Sequence, residues 1–265
     1  MIKQYFGLKK IPFSKELDTK DIFISNSMKE LFSRLEHIKQ TRGLLLLTGE
    51  PGAGKTLALR KFITDLNPNC YFPVYTPLST VSEMEFYRNL CFKLTGELFY
   101  HKWKCFNRIQ KAITDSVTDA KKVPVLVIDE AQLLKSQHLF EIQILLNFDI
   151  DSTQPVIFIL AGQTPLREVL SRPVHNSVNQ RFTLKYNLTP LEKEEVKKYL
   201  LQQLTSAGLN NKELFSDSAI EAIFSNTGGN PRTVGNLALK AMTLAAIEKK
   251  TKISEEEIYQ ASKEL

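Results

Sequence analysis

The sequence predicts an α/β protein: a parallel five-stranded sheet with helices on both faces, followed by a small all-helical C-terminal domain. Three observations lead there. A complete phosphate-binding loop, Gly49-Glu50-Pro51-Gly52-Ala53-Gly54-Lys55-Thr56, sits between the apolar run Leu44–Leu47 and the amphipathic segment Leu57–Leu66. Apolar runs of strand length alternate with helix-period segments up to about residue 187, the pattern of strands joined by helical crossovers. Beyond that point the strand pattern stops and helical periodicity continues alone. The expected division is an α/β nucleotide-binding domain over residues 1–187 and a helical lid domain over residues 188–265.

In chain order, strands are expected at 44–48, 70–76, 123–128, 156–161 and 181–186. Helices are expected between them at about 27–40, 57–66, 82–95, 104–119, 136–147 and 164–170. Ser82 with Glu85 reads as a capping box, and Thr164-Pro165 as a cap followed by proline at the first helical position. Thr189-Pro190-Leu191-Glu192 is expected to open the first helix of the second domain, with a capping box and a first-turn proline. Helices at about 217–225, 232–249 and 254–264 follow, the last opened by Ser254 with Glu257.

The loop sets the ligand class. Its glycines let the backbone curl so that N–H groups and the following helix N-terminus face a phosphate chain. Residues Gly49 through Leu57 are the expected cradle. Lys55 reaches the β- and γ-phosphates, and Thr56 offers its hydroxyl to Mg²⁺. The run Val123–Ile128 ends in Asp129-Glu130. Two acids are costly inside a buried strand and useful at its rim. Asp129 is expected in the Mg²⁺ shell, and Glu130 as the general base that polarises an attacking water. Taken alone, the same pair would also serve as a helix N-cap; beside the loop it points to ATP hydrolysis.

Composition narrows the setting. The 265 residues, 43% hydrophobic and 24% charged, are ordinary for a globular chain. No signal-like N-terminus and no stretch of ~18 apolar residues is visible, so the expected location is the cytoplasm, away from a membrane. Three cysteines and four scattered histidines lack metal-ligand spacing. The net charge of +6 lies in the first part of the chain, with 18 Lys+Arg against 12 Asp+Glu in residues 1–120 and 17 against 17 thereafter. Between Arg88 and Lys111 stand six cations, with Glu97 as the only acid, and Tyr100, Trp103 and Phe106 interleave. Lys102, Lys104, Arg108 and Lys111 are therefore candidates for contact with duplex DNA. A solvated helix face whose lysine stems cover apolar groups gives the same pattern.

Together these motifs resemble the AAA+ superfamily, and within it the branch of ExeA-like ATPases and TnsC/TniB-like regulators of DNA transposition. The resemblance rests on Tyr5-Phe6-Gly7-Leu8, Ile11-Pro12-Phe13, the phosphate loop, Val127-Ile128-Asp129-Glu130-Ala131-Gln132, Leu160-Ala161-Gly162-Gln163, Asn179-Gln180-Arg181-Phe182 and Gly228-Gly229-Asn230-Pro231-Arg232. It implies that Gln163 senses the γ-phosphate. It implies that Arg181, or failing it Arg172, is a finger supplied in trans, and that Arg232 couples the lid to the nucleotide. Phe23 and Ile24 match a segment that packs the adenine. The implied protein is an ATP- and Mg²⁺-dependent homo-oligomer, ring or helical filament, with ATP at subunit interfaces. Secretion-type members continue into a membrane span. This sequence ends at Leu265 in the expected lid, which favours the free-standing type that assembles on DNA, recruits a transposase and hydrolyses ATP to disassemble. An ExeA-like secretion or cell-envelope ATPase acting on protein partners is the alternative.

Overall fold

The computed structural model describes residues 2–14, 19–77, 82–149, 152–209 and 213–263. The chain forms two compact units, Glu30–Glu50 with Ala58–Leu188, and Met1–Lys29 with Pro51–Leu57 and Thr189–Leu265. The strands are β1 (Gly43–Gly49), β2 (Tyr71–Pro77), β3 (Val123–Asp129), β4 (Ile157–Ala161) and β5 (Phe182–Leu188). The helices are α1 (Ile2–Tyr5), α2 (Asn26–Thr41), α3 (Lys55–Asp65), α4 (Glu83–Thr95), α5 (Lys102–Thr118), α6 (Ser136–Leu145), α7 (Pro165–Ser171), α8 (Asn176–Arg181), α9 (Lys193–Ser206), α10 (Asp217–Thr227), α11 (Pro231–Ile247) and α12 (Glu255–Ser262).

In the first unit all five strands run parallel in the order β2-β3-β4-β1-β5. β1 and β4 are buried along their whole length, which is why their sequences are continuous apolar runs instead of alternating ones. Side chains alternate across the sheet. Leu44, Leu46, Leu126, Ile128, Phe158 and Leu160 pack in one core with Phe86, Tyr87 and Leu90 of α4 and Ile109 and Ile113 of α5. The residues between them, Leu45, Leu47, Val125, Val127, Ile157 and Ile159, are as deeply buried, so the second face is covered too. Burying so much apolar surface, at roughly 25 cal/mol per Å², is the main favourable contribution to this unit.

The second unit is helical. Leu8, Val196, Leu200, Leu204, Ile223, Leu237, Ala238, Met242 and Ile258 share one core. The N-terminal segment is part of it: Leu8 is buried there and Lys9 N–H donates to the Ala207 carbonyl at 2.8 Å.

The capping boxes Ser82/Glu85 and Ser254/Glu257 form as expected. Two other starts differ. Thr164 makes no side-chain cap bond, although Pro165 does hold the first helical position. The helix expected from Thr189 begins at Lys193, capped by Glu192 with Glu195. The preceding backbone is engaged elsewhere: Thr189 N–H donates to Ser27 Oγ at 3.1 Å and Leu191 N–H to the Gly229 carbonyl at 2.9 Å. Arg181 is the last residue of α8, so the fifth strand starts at Phe182. α8 buries Val178 alone, too little apolar periodicity to be read in advance.

Candidate functional site

One candidate cluster lies in the helical unit. Gly52 and Gly54 adopt φ of +87° and +105°, so the loop needs glycine at both. The turn before α11 grips this loop. Asn230 Nδ2 donates to the Pro51 carbonyl at 2.8 Å, and Asn230 Oδ1 accepts from Arg232 N–H at 3.1 Å. A side chain on Gly52 would come within 2.6 Å of Asn230 Oδ1 and 2.9 Å of Arg232 Cβ. Gly229, with φ of +75°, is equally constrained, because a Cβ there would lie 2.0 Å from the Leu191 carbonyl oxygen. Lys55 opens α3 and is 8% exposed, whereas Thr56 beside it is open to solvent. Arg232 is exposed.

Beside the loop, Phe23, Met28, Gly54, Leu57, Tyr199 and Gln203 wall a small cavity. Phe23 packs on Tyr199 with ring centroids 5.8 Å apart. Ile24 is half-buried and lies outside that wall. Burial pushes the Tyr199 phenol up to about 12, so it stays a donor, to the Pro231 carbonyl at 3.3 Å. Glu195, itself buried, accepts from Asn26 N–H at 2.6 Å and ties the start of α2 to α9.

A second candidate cluster lies in the sheet unit, at the carboxyl ends of the strands. Leu47 is level with Ala161, and Pro77 with Asp129. Gly49 ends β1 where a Cβ would meet the Leu188 carbonyl at 2.7 Å, and Glu50 after it is exposed. Asp129 is 1% exposed. Its Oδ2 accepts from the Tyr75 hydroxyl at 2.9 Å and its Oδ1 from Glu130 N–H at 2.9 Å. Burial and the adjacent Asp129 both raise the Tyr75 pKa, which keeps that hydroxyl a donor. Glu130 is exposed at φ of +58°, a left-handed conformation that few non-glycine residues adopt and that costs strain. Gln132 holds it: Nε2 donates to Glu130 Oε2 at 2.6 Å, while Oε1 accepts from Gln163 N–H at 3.0 Å. One amide thus joins the expected base to the expected γ-phosphate sensor.

Arg181 donates through Nη1 to the carbonyls of Gln143 and Leu146 at 3.3 and 3.1 Å, at the C-terminal end of α6. Arg172 is exposed. The basic stretch is less free than its sequence implied. Lys102 is ion-paired with Glu83 and Glu141, Arg108 with Glu97 at 2.8 Å, and Lys111 lies 3.9 Å from Asp115. Glu83 and Glu141 come from α4 and α6, outside the Arg88–Lys111 window. Lys104 lies over the Trp103 ring at 5.6 Å; Trp103 and Tyr100 are 62% and 84% exposed.

Sequence reasoning did not single out Gln132, Asn230, Tyr75 or Gln203. The first two stand inside motifs already quoted, two residues from Glu130 and from Arg232. Tyr75 and Gln203 carry no local signal.

A phosphate loop directly after β1, gripped by the turn before α11, and two acids at the end of β3 define a P-loop nucleoside triphosphatase. The comparisons agree. The AAA domain family matches residues 37–170, about half of the chain, and the chain belongs to that family. It is an AAA+ ATPase. It is 28% identical over its full length to General secretion pathway protein A of Aeromonas hydrophila, of which it spans 48%. Among solved structures, Cdc6p of Pyrobaculum aerophilum is similar with a TM-score of 0.70 and 17% identity, covering 99% of this chain and 70% of that one. DNA-bound Drosophila ORC gives 0.65 and 16%, covering 98% and 64%. The Thermotoga maritima RuvB branch migration motor gives 0.58 and 21%, covering 91% and 68%. At these identities the structures establish the fold alone.

Proposed function

We propose that this ATPase is a nucleotide-operated switch that assembles with copies of itself on duplex DNA and regulates transposition through a transposase. The observation that carries the switch is the hydrogen bond of Asn230 to the Pro51 carbonyl of the phosphate loop, with Arg232 bonded in turn to Asn230. A change in the loop on ATP binding or hydrolysis is passed straight to α11. In this reading Lys55 neutralises the β- and γ-phosphates, and Thr56 and Asp129 are the oxygen donors for Mg²⁺. Mg²⁺ shields phosphate charge. Glu130 takes the proton of the attacking water, Gln163 senses the γ-phosphate, Arg232 reports it, and Phe23 packs the base. Arg172 or Arg181 supplies a cation to a neighbouring subunit's ATP.

On DNA the reading rests on the motif strings and on exposed Lys104, Lys111, Trp103 and Tyr100. Lys102 and Arg108 are held by carboxylates, so Lys104 and Lys111 are the better partners for DNA phosphates. A second reading, a secretion ATPase acting on protein partners, is favoured by the full-length similarity to General secretion pathway protein A.

One experiment separates them. Fluorescence anisotropy on a random duplex should show binding in the presence of ATP whose log affinity falls linearly with log salt. The double variant Lys104→Glu/Lys111→Glu should weaken it across all sequences and flatten that slope by roughly one for each DNA phosphate no longer neutralised. A wild-type protein that binds no duplex, and whose ATPase is not stimulated by it, leaves the protein-directed reading in place.

A further inference from the structure

We propose that Gln203 selects the base, admitting adenine and rejecting guanine through its side-chain oxygen. This rests on the nucleotide reading of the cavity beside the phosphate loop. Gln203 lines that cavity, one helical turn after Tyr199 on α9, and is 2% exposed. Its Nε2 donates to the Asp21 carbonyl at 3.5 Å, an oxygen that also accepts from Gln202 Nε2 at 3.2 Å. The contact is long, but its sign fixes the amide. Turning the amide over would set Oε1 against the Asp21 carbonyl, acceptor against acceptor. Oε1 is therefore the atom that remains for the cavity, and it has no hydrogen-bond partner among the described residues.

The other polar groups on the wall are engaged or outside. Ser25 Oγ accepts from Met28 N–H at 3.1 Å, the Tyr199 hydroxyl donates to Pro231, and Thr189 is exposed. The remaining lining is apolar. An acceptor with no partner among the described residues, in an otherwise apolar wall, asks for a donor. Adenine presents one at its 6-amino group; guanine presents the O6 acceptor at the same place. A site built around one hydrogen bond discriminates most strongly against the analogue that leaves it unpaired.

The test is competition binding with ATP, GTP and purine riboside triphosphate, which lacks the 6-amino group. Wild type should bind ATP about fivefold more tightly than purine riboside triphosphate, and at least about tenfold more tightly than GTP. In Gln203→Leu the preference for the amino group should vanish. If that variant fails to fold, the wild-type comparison decides alone: equal affinity for ATP and purine riboside triphosphate overturns the assignment, as does an unchanged preference in a folded variant. Lys55→Ala separates the two levels. If it binds ATP as wild type does, the nucleotide reading itself falls, and the role of Gln203 falls with it.

Discussion

Glu130 stands in a strained left-handed conformation, with its carboxylate on the Gln132 amide and its own N–H on Asp129. Three residues thereby set one oxygen pair at the end of β3. Glu130→Gln keeps that shape and removes the proposed base. It is expected to bind ATP with unchanged affinity and to release phosphate at least about 100-fold more slowly. Gln132→Leu strips the partner from both Glu130 and Gln163 N–H, and should lower turnover about tenfold at the same ATP affinity. Phosphate-release kinetics beside calorimetric titration check both; full turnover in Glu130→Gln removes it from catalysis. Asp129 and Glu130 were legible in the sequence because acids after a buried apolar run are conspicuous. Gln132 and Tyr75 were not, since their importance lies in which atoms they reach.

At the scale of elements, α12 shows how a single start can carry pH dependence. Glu257 is buried, which alone would raise its pKa; Lys250 and the Ser254 hydroxyl and N–H outweigh this and hold it down to about 2. The unfolded chain's carboxyl titrates at roughly 4.3. A depressed folded value stabilises above the unfolded pKa, and that stability disappears as pH falls through the folded one. Glu257→Gln should thus be less stable at pH 7 by about 1–3 kcal/mol. Thermal melts from pH 7 to pH 2 should show the gap to wild type closing below about pH 4.5. A gap that stays constant would assign the loss to packing instead of charge. The capping box itself was readable from Ser254 and Glu257, whereas Lys250 as the partner of the buried carboxylate was not. Propensity also misplaced the start of α9, because Thr189 and Leu191 give their N–H groups to Ser27 and Gly229.

For the whole molecule, the proposed assembly calls for an arginine that reaches a neighbouring subunit's ATP. Arg181 caps the carbonyl end of α6 in its own chain, a position where a cation contributes about 0.5–1 kcal/mol. Arg181→Ala should lower the melting temperature by a few degrees. Arg172→Ala, on an exposed side chain, should leave melting unchanged and reduce hydrolysis. Mixing Arg172→Ala with Lys55→Ala should restore part of the activity, since one chain supplies the finger and the other the competent loop. If only the Arg181→Ala mixture recovers, the finger is Arg181 and its bonds to α6 open on assembly.

The sequence by itself determined the strand list, most helices, the phosphate loop and the acid pair. Each is written in contiguous residues, as an apolar period or as fixed spacing. The tertiary structure decided what depends on distant partners. Residues far apart in the chain meet as Asn230 on Pro51 and as Lys102 on Glu141, and Gln203 is turned by the Asp21 carbonyl. A hydrogen bond or ion pair between remote segments leaves no period behind, and only folding the chain reveals which cations are spent and which acceptors still await a donor.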